Sequence, residues 1–154
     1  MVKDLRPLGD PGSDQFQVDA YPFYLLNRTA SRYNTLIEPV LRPLGVDIPT
    51  WRVLMVLGEA EPQPVAQVAR AAVINISTMI RIVERMTKAE LITSSPSKDD
   101  GRVTQLRLTP HGRDKLAAAR QATAPVYQKI IRGFSAADFH RLLDLINRLY
   151  DNLD

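Results

Sequence analysis

Residues 91–108 restrict the fold more than any other segment, because they interrupt a chain that otherwise shows helical periodicity. The stretches 91–94 and 103–108 are rich in residues that favour strands, and the second alternates between apolar and polar side chains. The loop between them has Asp100-Gly101 at its tip, a dipeptide that is typical of hairpin turns. The segment therefore predicts one β-hairpin within a mostly helical protein.

Prolines and capping residues divide the rest of the chain into helices. Asn75, Thr109 and Ser135 each precede a segment of helical periodicity and are predicted to cap its first turn, as is Asp19. Gly58 is predicted to end the second helix. The helices are predicted over about 22–40, 50–57, 64–72, 76–89, 110–133 and 135–153. The predicted fold class is mainly α with a small β-hairpin (α+β).

Several functional classes are excluded by the composition. The chain has no cysteine, so disulfides, thiol nucleophiles and cysteine zinc sites are impossible. His111 and His140 lie far apart without neighbouring ligands, and the one pair of adjacent carboxylates, Asp99 and Asp100, falls on an exposed turn. We therefore expect no metal, no cofactor and no catalytic residues, and a protein that is not an enzyme.

The first 18 residues are polar and rich in proline, glycine and aspartate, so residues 1–18 are predicted to form a disordered tail. They lack the apolar stretch of a signal peptide, and no run approaches the ~20 apolar residues that span a bilayer. We expect a cytoplasmic protein without a membrane partner, in which residues 19–154 form a single domain.

The charge of the chain is concentrated in its middle. The formal net charge is only +3, but residues 63–113 hold eight basic and four acidic side chains, a net of +4. A basic middle between nearly neutral ends indicates that this segment meets an anion.

The predicted helix 76–89 carries the features of a DNA-reading helix. Met79, Ile82, Val83 and Met86 form its apolar face, and the opposite face is polar and basic. That opposite face carries Ser77, Thr78, Ile80, Arg81, Glu84, Arg85 and Lys88. Such a helix can enter a major groove, where arginine pairs with guanine and isoleucine contacts a thymine methyl group. An ordinary solvated helix face has the same composition, so the helix alone leaves both interpretations open.

The hairpin loop places Lys98, Asp100 and Arg102 at an exposed tip. An arginine there suits the strongly negative potential of a narrow minor groove, and Asp100 is positioned to hold it by a forked ion pair. The alternative is that these residues only form the turn and keep the hairpin soluble.

A family resemblance favours the DNA-binding interpretation. Asp100-Gly101-Arg102, five further residues and Leu108-Thr109 match the wing signature Asp-x-Arg-x5-Leu-Thr of the MarR (multiple antibiotic resistance regulator) family. Residues 77–86 resemble the recognition helix of that family, and residues 65–70 and 49–54 resemble its two preceding helices. The order and spacing of these segments resemble the family over about residues 20–153.

The resemblance implies a dimeric winged helix-turn-helix transcription factor, usually a repressor, that binds an inverted-repeat operator in double-stranded DNA. Residues 49–112 would form the DNA-binding lobe with its wing at about 93–108, and residues 19–48 and 113–154 the dimerisation helices. By position, the DNA contacts would be Asn75, Ile76, Ser77, Thr78, Ile80, Arg81 and Arg85 in the helix, and Lys98, Asp100 and Arg102 in the wing.

Three positions in the helix-turn-helix segment depart from the family pattern. Val73 stands in a turn where the family often has glycine, and Ile76 and Ile80 replace residues that are often polar.

The last predicted helix has a wide apolar stripe that needs a partner. The stripe consists of Phe139, Leu142, Leu143, Ile146, Leu149, Tyr150 and Leu153. A second copy of the chain is the simplest cover, which predicts a homodimer. The alternative is that the first long helix covers the stripe within the same chain.

The resemblance also implies a crevice for a small anionic aromatic effector. Tyr24, Arg28 and Trp51 are the candidates to hold it, since aromatic rings and a cation suit a planar carboxylate. Aromatic residues in these helices also suit plain core or dimer contacts. A different function also stays open, namely an architectural or protein-interaction module that binds DNA mainly without sequence preference.

Overall fold

The computed structural model describes residues 3–153 of the chain. Within that range the helices are α1 (Arg6–Gly9), α2 (Pro22–Leu41), α3 (Ile48–Glu59), α4 (Val65–Ala71), α5 (Ile76–Lys88), α6 (Pro110–Ile130) and α7 (Ala136–Asp151). The strands are β1 (Gln63–Pro64), β2 (Ile92–Pro96) and β3 (Thr104–Leu108), and short 3-10 turns lie at Val18–Ala20 and Arg42–Leu44. The predicted class, mainly α with a small β-hairpin, is confirmed.

Three of the four predicted helix caps form. The side chain of Asn75 accepts from the N–H of Thr78 at 2.8 Å, and Thr109 caps α6 in the same manner. Ser135 caps α7 in a reciprocal arrangement with the carboxylate of the third helical residue. The prediction for Asp19 is wrong, because Asp19 lies inside a 3-10 turn and the residue that precedes α2 makes no side-chain capping bond.

The second predicted helix is longer than expected at both ends. Asp47 caps α3 by accepting from the N–H of Thr50 at 2.9 Å, so that the helix begins at Ile48 rather than at residue 50. Gly58 lies within the last turn and does not end the helix. The local cap, not the glycine, therefore sets the position of this helix.

The hairpin forms in the predicted place and gains a third strand. β2 and β3 pair antiparallel, with Ile92 opposite Leu108 and Ser94 opposite Leu106, and β1 pairs with the other edge of β3. Leu106 and Leu108 point into the core, whereas Thr104 near the tip is exposed. The two-residue strand β1 was not predicted, since it is too short to show alternation.

A single apolar core holds the middle of the molecule together. It joins the C-terminal end of α2, the helices α3, α4 and α5, the sheet and the N-terminal half of α6. Its fully buried members include Ile37, Leu41, Val53, Leu54, Leu57, Val68, Met79, Met86, Ile92 and Leu106. This arrangement fixes α5 and the hairpin on one side of a closed lobe, which we define as residues 46–119.

The N-terminal segment is more ordered than the predicted tail of residues 1–18. Met1 and Val2 lie outside the described residues, but from residue 3 onward the chain forms α1 and a 3-10 turn. The N–H of Gln17 donates to the carbonyl of Leu8 at 2.8 Å, and the rings of Phe16 and Tyr21 meet edge to face. Tyr21 in turn contacts Phe23, the second residue of α2. This aromatic contact, which composition alone does not reveal, ties the segment to α2.

No single helix among residues 3–153 is both long and apolar enough to cross a membrane. The pair α4 and α5 reaches the required length and composition only together, and it is bent by 108° at the break.

Candidate nucleic-acid interface

Helices α4 and α5 form a helix-turn-helix. The bend of 108° between them falls within the range of about 90–120° that is usual for this motif. The N–H of Ile74 donates to the carbonyl of Ala69 at 2.9 Å, which closes the turn. Val73 in this turn has a φ of +56°, in the left-handed region that a β-branched residue rarely adopts. The motif therefore forms although its turn lacks the more usual glycine.

The two faces of α5 divide as the sequence predicts. Met79, Ile82 and Met86 are buried in the core, and Val83 is half-buried against it. The opposite face is exposed over the length of the helix, including Ser77 in the first turn and Arg81 one turn later. The Oγ of Ser77 donates to the capping side chain of Asn75 at 2.8 Å, so the start of the helix is preorganised.

The tip of the hairpin presents a prearranged cation. Arg102 makes a forked pair with Asp100, with Nε to Oδ1 at 3.1 Å and Nη2 to Oδ2 at 3.3 Å. Its own backbone N–H also donates to Asp100, and these hydrogen bonds lower the pKa of the Asp100 carboxyl below its usual value. The side chain of Arg102 is 91% exposed, so the guanidinium remains available to a partner. The predicted ion pair is confirmed.

A groove runs between α5 and the hairpin. Its volume is about 480 Å³, and its walls are Ile76, Ile80, Val83 and Glu84 of α5 and residues 102–104 of the hairpin. The start of α4, with residues 64–66, forms the floor. The exposed side of α5 and the arginine at the hairpin tip therefore border a single continuous surface that can follow a DNA strand.

Known proteins share this arrangement. A sequence model of the MarR family matches residues 46–104, which include α3, the helix-turn-helix and the tip of the hairpin. The HTH-type transcriptional repressor IacR of Pseudomonas putida is 34% identical over 145 residues, which cover 94% of this chain and 87% of that protein. The chain belongs to the MarR family.

Solved structures have the same fold as this MarR-family chain. A MarR-family regulator from Silicibacter pomeroyi matches with a TM-score of 0.82 and 20% identity, covering 99% of this chain and 97% of that one. CouR from Rhodococcus jostii RHA1, bound to p-coumaroyl-CoA, matches with a TM-score of 0.78 and 17% identity over 86% of this chain and 94% of that one. The repressor CouR bound to a 23-mer DNA duplex matches with a TM-score of 0.74 and 19% identity over 84% and 92% of the two chains.

Family membership makes this chain a DNA-binding transcriptional regulator. Regulators of the MarR family act by binding DNA and are not enzymes, in agreement with the expectation from the sequence. In proteins of this family the hairpin is termed the wing.

One predicted DNA contact in this MarR-family chain has a different partner within the molecule. Arg85 pairs with the carboxylate of Asp47 at 2.7 Å and also donates to the hydroxyl of Thr50 at 3.0 Å. Although burial raises the pKa of Asp47, hydrogen bonds from Thr50 and the positive charge of Arg85 outweigh it, and that pKa lies below its usual value. Arg85 thus ties α5 to the start of α3, a role that its spacing in the sequence does not reveal.

A second tie, which the sequence analysis missed, fixes the wing of this regulator. The carboxylate of Glu61 accepts from the backbone N–H of Leu108 at 2.7 Å and pairs with Arg113 at the start of α6. The side chain of Glu61 is only 18% exposed, so it anchors the end of β3 in a partly desolvated position. Its position next to Pro62, in a loop between two helices, offers no local signal for this role.

The three predicted effector residues do not line one pocket. Arg28 lies 5.4 Å from the ring centroid of Tyr24, within the distance of a cation–π contact. A groove of about 720 Å³ beside them is lined by Arg28, Arg32, Tyr33 and other residues of α2, together with Ile130, but not by Tyr24 or Trp51. Trp51 is only 4% exposed and belongs to the core of the lobe, and its buried indole N–H has no hydrogen-bond acceptor among residues 3–153.

The predicted dimerisation stripe lies on α7 except for Leu153, which follows the end of the helix, and no residue of α7 is buried. Phe139 and Leu149 are half-buried, and the rest of the stripe is exposed. The exposed fractions are 38% for Leu142, 46% for Leu143, 40% for Ile146, 66% for Tyr150 and 67% for Leu153.

Proposed function

We propose that this MarR-family regulator is a cytoplasmic, homodimeric repressor that binds an inverted-repeat operator and is released from it by a small anionic aromatic effector. The observation that carries the proposal is the surface formed by α5 and the wing, where Arg81 is exposed on α5 and the forked Arg102 lines the groove between the two elements. The IacR relative is a transcriptional repressor, which supports repression rather than activation.

The homodimer is supported by the apolar surface that the chain leaves open at its ends. The first half of α2 exposes Phe23, Tyr24 and Leu26, and α7 exposes the stripe described above. Packing between elements of the chain joins α2 to α6 and α3, and α7 takes no substantial part in it. A second copy that covers these surfaces would bury the apolar side chains of both chains, and it would pair two DNA-binding lobes.

The expected operator follows from such a pair. Two copies of α5 related by a two-fold axis would enter successive major grooves about 34 Å apart, or ~10 bp from centre to centre. The tips of the two wings, each with its Arg102, would reach into the flanking minor grooves, where the potential attracts arginine.

The effector site is supported by the groove along α2. Its walls are largely apolar, and Arg28 and Arg32 supply positive charge, which suits a flat, negatively charged ligand. CouR, which has the same fold, was solved with p-coumaroyl-CoA. The indole N–H of Trp51, buried in the core of the lobe without an acceptor among the described residues, would donate to an effector that opened this core. Release then requires that the effector prefer a spacing of the two lobes that does not fit DNA.

The operator hypothesis is tested by fluorescence anisotropy with the DNA upstream of the protein's own gene and with a scrambled duplex, at several salt concentrations. Repressor function predicts binding to the first duplex that is tighter by ~10³ or more. Arg102→Ala should weaken operator binding by about tenfold and lower the salt dependence by about one ion. Arg6→Ala is the matched control, since Arg6 is equally exposed and forms the same type of pair with Asp4.

Equal affinity for both duplexes would instead favour the architectural function, and unchanged affinity in both Arg102→Ala and Arg81→Ala would contradict the proposed DNA surface.

The effector hypothesis has its own readout, because Trp51 is the only tryptophan in the sequence. Titration of a small aromatic carboxylate should change the indole fluorescence and release labelled operator over the same concentration range.

A further inference from the structure

The exposed side of α5 is divided lengthwise into three strips. Successive residues of a helix are rotated by about 100°, so Ser77 and Arg81 lie near the centre of the exposed side. Arg85 lies on the flank toward α3, where it pairs with Asp47. Ile76 and Ile80 lie on the flank toward the wing and line the groove there. Only this last strip is apolar.

The isoleucines of this strip are not explained by packing within the lobe. Ile76 and Ile80 are each 52% exposed, whereas the core-facing side of α5 is buried. Isoleucine is a poorer helix former than alanine or lysine, so helix propensity does not explain isoleucine at these positions either. The groove continues the apolar surface through Val65 and Val103. The strip is therefore complementary to an apolar group on whatever occupies the groove.

The charges around the groove indicate a DNA strand as its occupant. Arg102 stands on the wing side and attracts phosphate, whereas Glu84 on the α5 side repels it. A strand that enters would therefore turn its backbone toward the wing and its bases toward α5. In the major groove the apolar group that a base presents is the C5-methyl of thymine.

We propose that Ile76 and Ile80 read the methyl groups of thymines in the strand that passes between α5 and the wing. The inference rests on the proposed function and adds base preference to it. The two residues are four positions apart, so they lie on one face about 6 Å apart along the helix axis. This is close to two base steps of about 3.4 Å for a helix that follows the groove. Each operator half-site then contains thymine at two positions near this spacing.

The first test leaves the protein unchanged. The duplex is the one that the protein selects from a randomised library, and each thymine of a half-site is replaced in turn by deoxyuridine, which lacks only the methyl group. At the contacted positions we expect affinity to fall about fourfold per methyl, the value of one buried methyl-sized group. Replacement by 5-bromodeoxyuridine, whose bromine has about the size of a methyl, should restore it.

The second test assigns the methyl groups to residues. Ile80→Ala and Ile76→Ala should each bind the unmodified duplex more weakly, and each should lose sensitivity to deoxyuridine at one position only. Both sites are exposed and alanine favours helix, so we expect the variants to fold. Leu5→Ala is the control, because Leu5 is 56% exposed but lies in the N-terminal segment, and it should keep full sensitivity.

The outcomes separate this inference from the proposed function. The methyl-reading role is wrong, and the operator function stands, if the selected duplex is preferred but deoxyuridine has no effect at any position. The same conclusion follows if both alanine variants are as sensitive to deoxyuridine at every position as the unchanged protein. If the library yields no preferred duplex, both are wrong.

Discussion

The lobe and the ends of this chain differ in where their apolar side chains find partners. In the lobe, Leu54, Met79 and Leu106 are completely buried by other parts of the same chain. In α7, whose apolar residues recur with helical periodicity, no residue is buried. The lobe is therefore closed by its own chain, whereas α7 leaves its apolar side chains open, where the proposed second copy would cover them.

The boundary between these regions runs through the long helices rather than between them. The C-terminal end of α2 contributes Ile37 and Leu41 to the core of the lobe, and the N-terminal half of α6 contributes Leu116 and Ala119. The first half of α2 contributes no residue to this core, and the second half of α6 reaches it only through the partly buried Val126. A change in how two chains pair at their ends would therefore reach the lobe through rigid helices, without unfolding either region.

The largest expected effect comes from opening the core of the lobe. Leu54→Ala should reduce the free energy of unfolding by about 3 kcal/mol, because it removes fully buried methyl groups and leaves a cavity. Chemical denaturation at two protein concentrations measures this loss, which should be equal at both. The matched variant Leu143→Ala, at a position 46% exposed, should cost less, and its cost should shrink on dilution, because a weakened interface no longer matters once the chains have dissociated. If Leu143→Ala cost the same free energy of unfolding at both protein concentrations, α7 would be covered within its own chain.

The next effect tests the terminal region directly. Ile146→Asp places a charge in the proposed interface and, acting twice in a symmetric dimer, should weaken dimerisation by about 100-fold. Sedimentation equilibrium measures the change, and operator affinity should fall with it because a monomer holds one half-site. Asn147→Asp introduces the same side chain on a neighbouring polar position of α7 and should leave the dimer intact. Two variants with the same sedimentation behaviour would contradict the proposed interface.

A smaller effect concerns the ion pair that ties α5 to α3. Asp47→Asn keeps a good helix cap but removes the charge that faces Arg85. Because the pair is about half exposed, we expect a loss below about 1 kcal/mol at neutral pH. The pKa of Asp47 is lowered in the folded protein, so its contribution is complete above the unfolded value of about 3.9 and disappears as the pH falls through the folded value.

Denaturation of both proteins between pH 7 and pH 3 checks this sign. The wild-type protein should exceed Asp47→Asn by a constant amount down to about pH 5, and the two should converge below about pH 4. Convergence in the opposite direction, toward high pH, would show that the carboxylate is not stabilised in the folded lobe.

Local chemistry explains what was predictable from the sequence. Asn75, Thr109 and Ser135 cap their helices through atoms no more than three residues away, so the sequence around each cap is sufficient. The forked pair of Asp100 and Arg102 spans two residues and was predictable for the same reason.

Contacts between distant residues explain which features could not be predicted from the sequence. Arg85 meets Asp47 across 38 positions of the sequence, and Glu61 meets the backbone of Leu108 across 47. Either acidic residue could have formed a solvated ion pair, and only the packing of α3 against α5 and the wing selects its partner. The sequence cannot distinguish Trp51 in an effector site from Trp51 in the core for a similar reason, since its burial in the lobe depends on distant helices.

The smallest effect concerns strain in the turn of the helix-turn-helix. Val73 is 80% exposed and has a positive φ, so its side chain gains little from packing and disfavours its own backbone conformation. Val73→Gly should raise the free energy of unfolding by about half a kcal/mol, since relief of the strain exceeds the added entropy of the unfolded chain. Val73→Ala keeps a Cβ, so it should gain less than glycine, and denaturation midpoints measure both. A loss of stability in Val73→Gly would show that the turn is not strained and that the lobe accommodates valine there without cost.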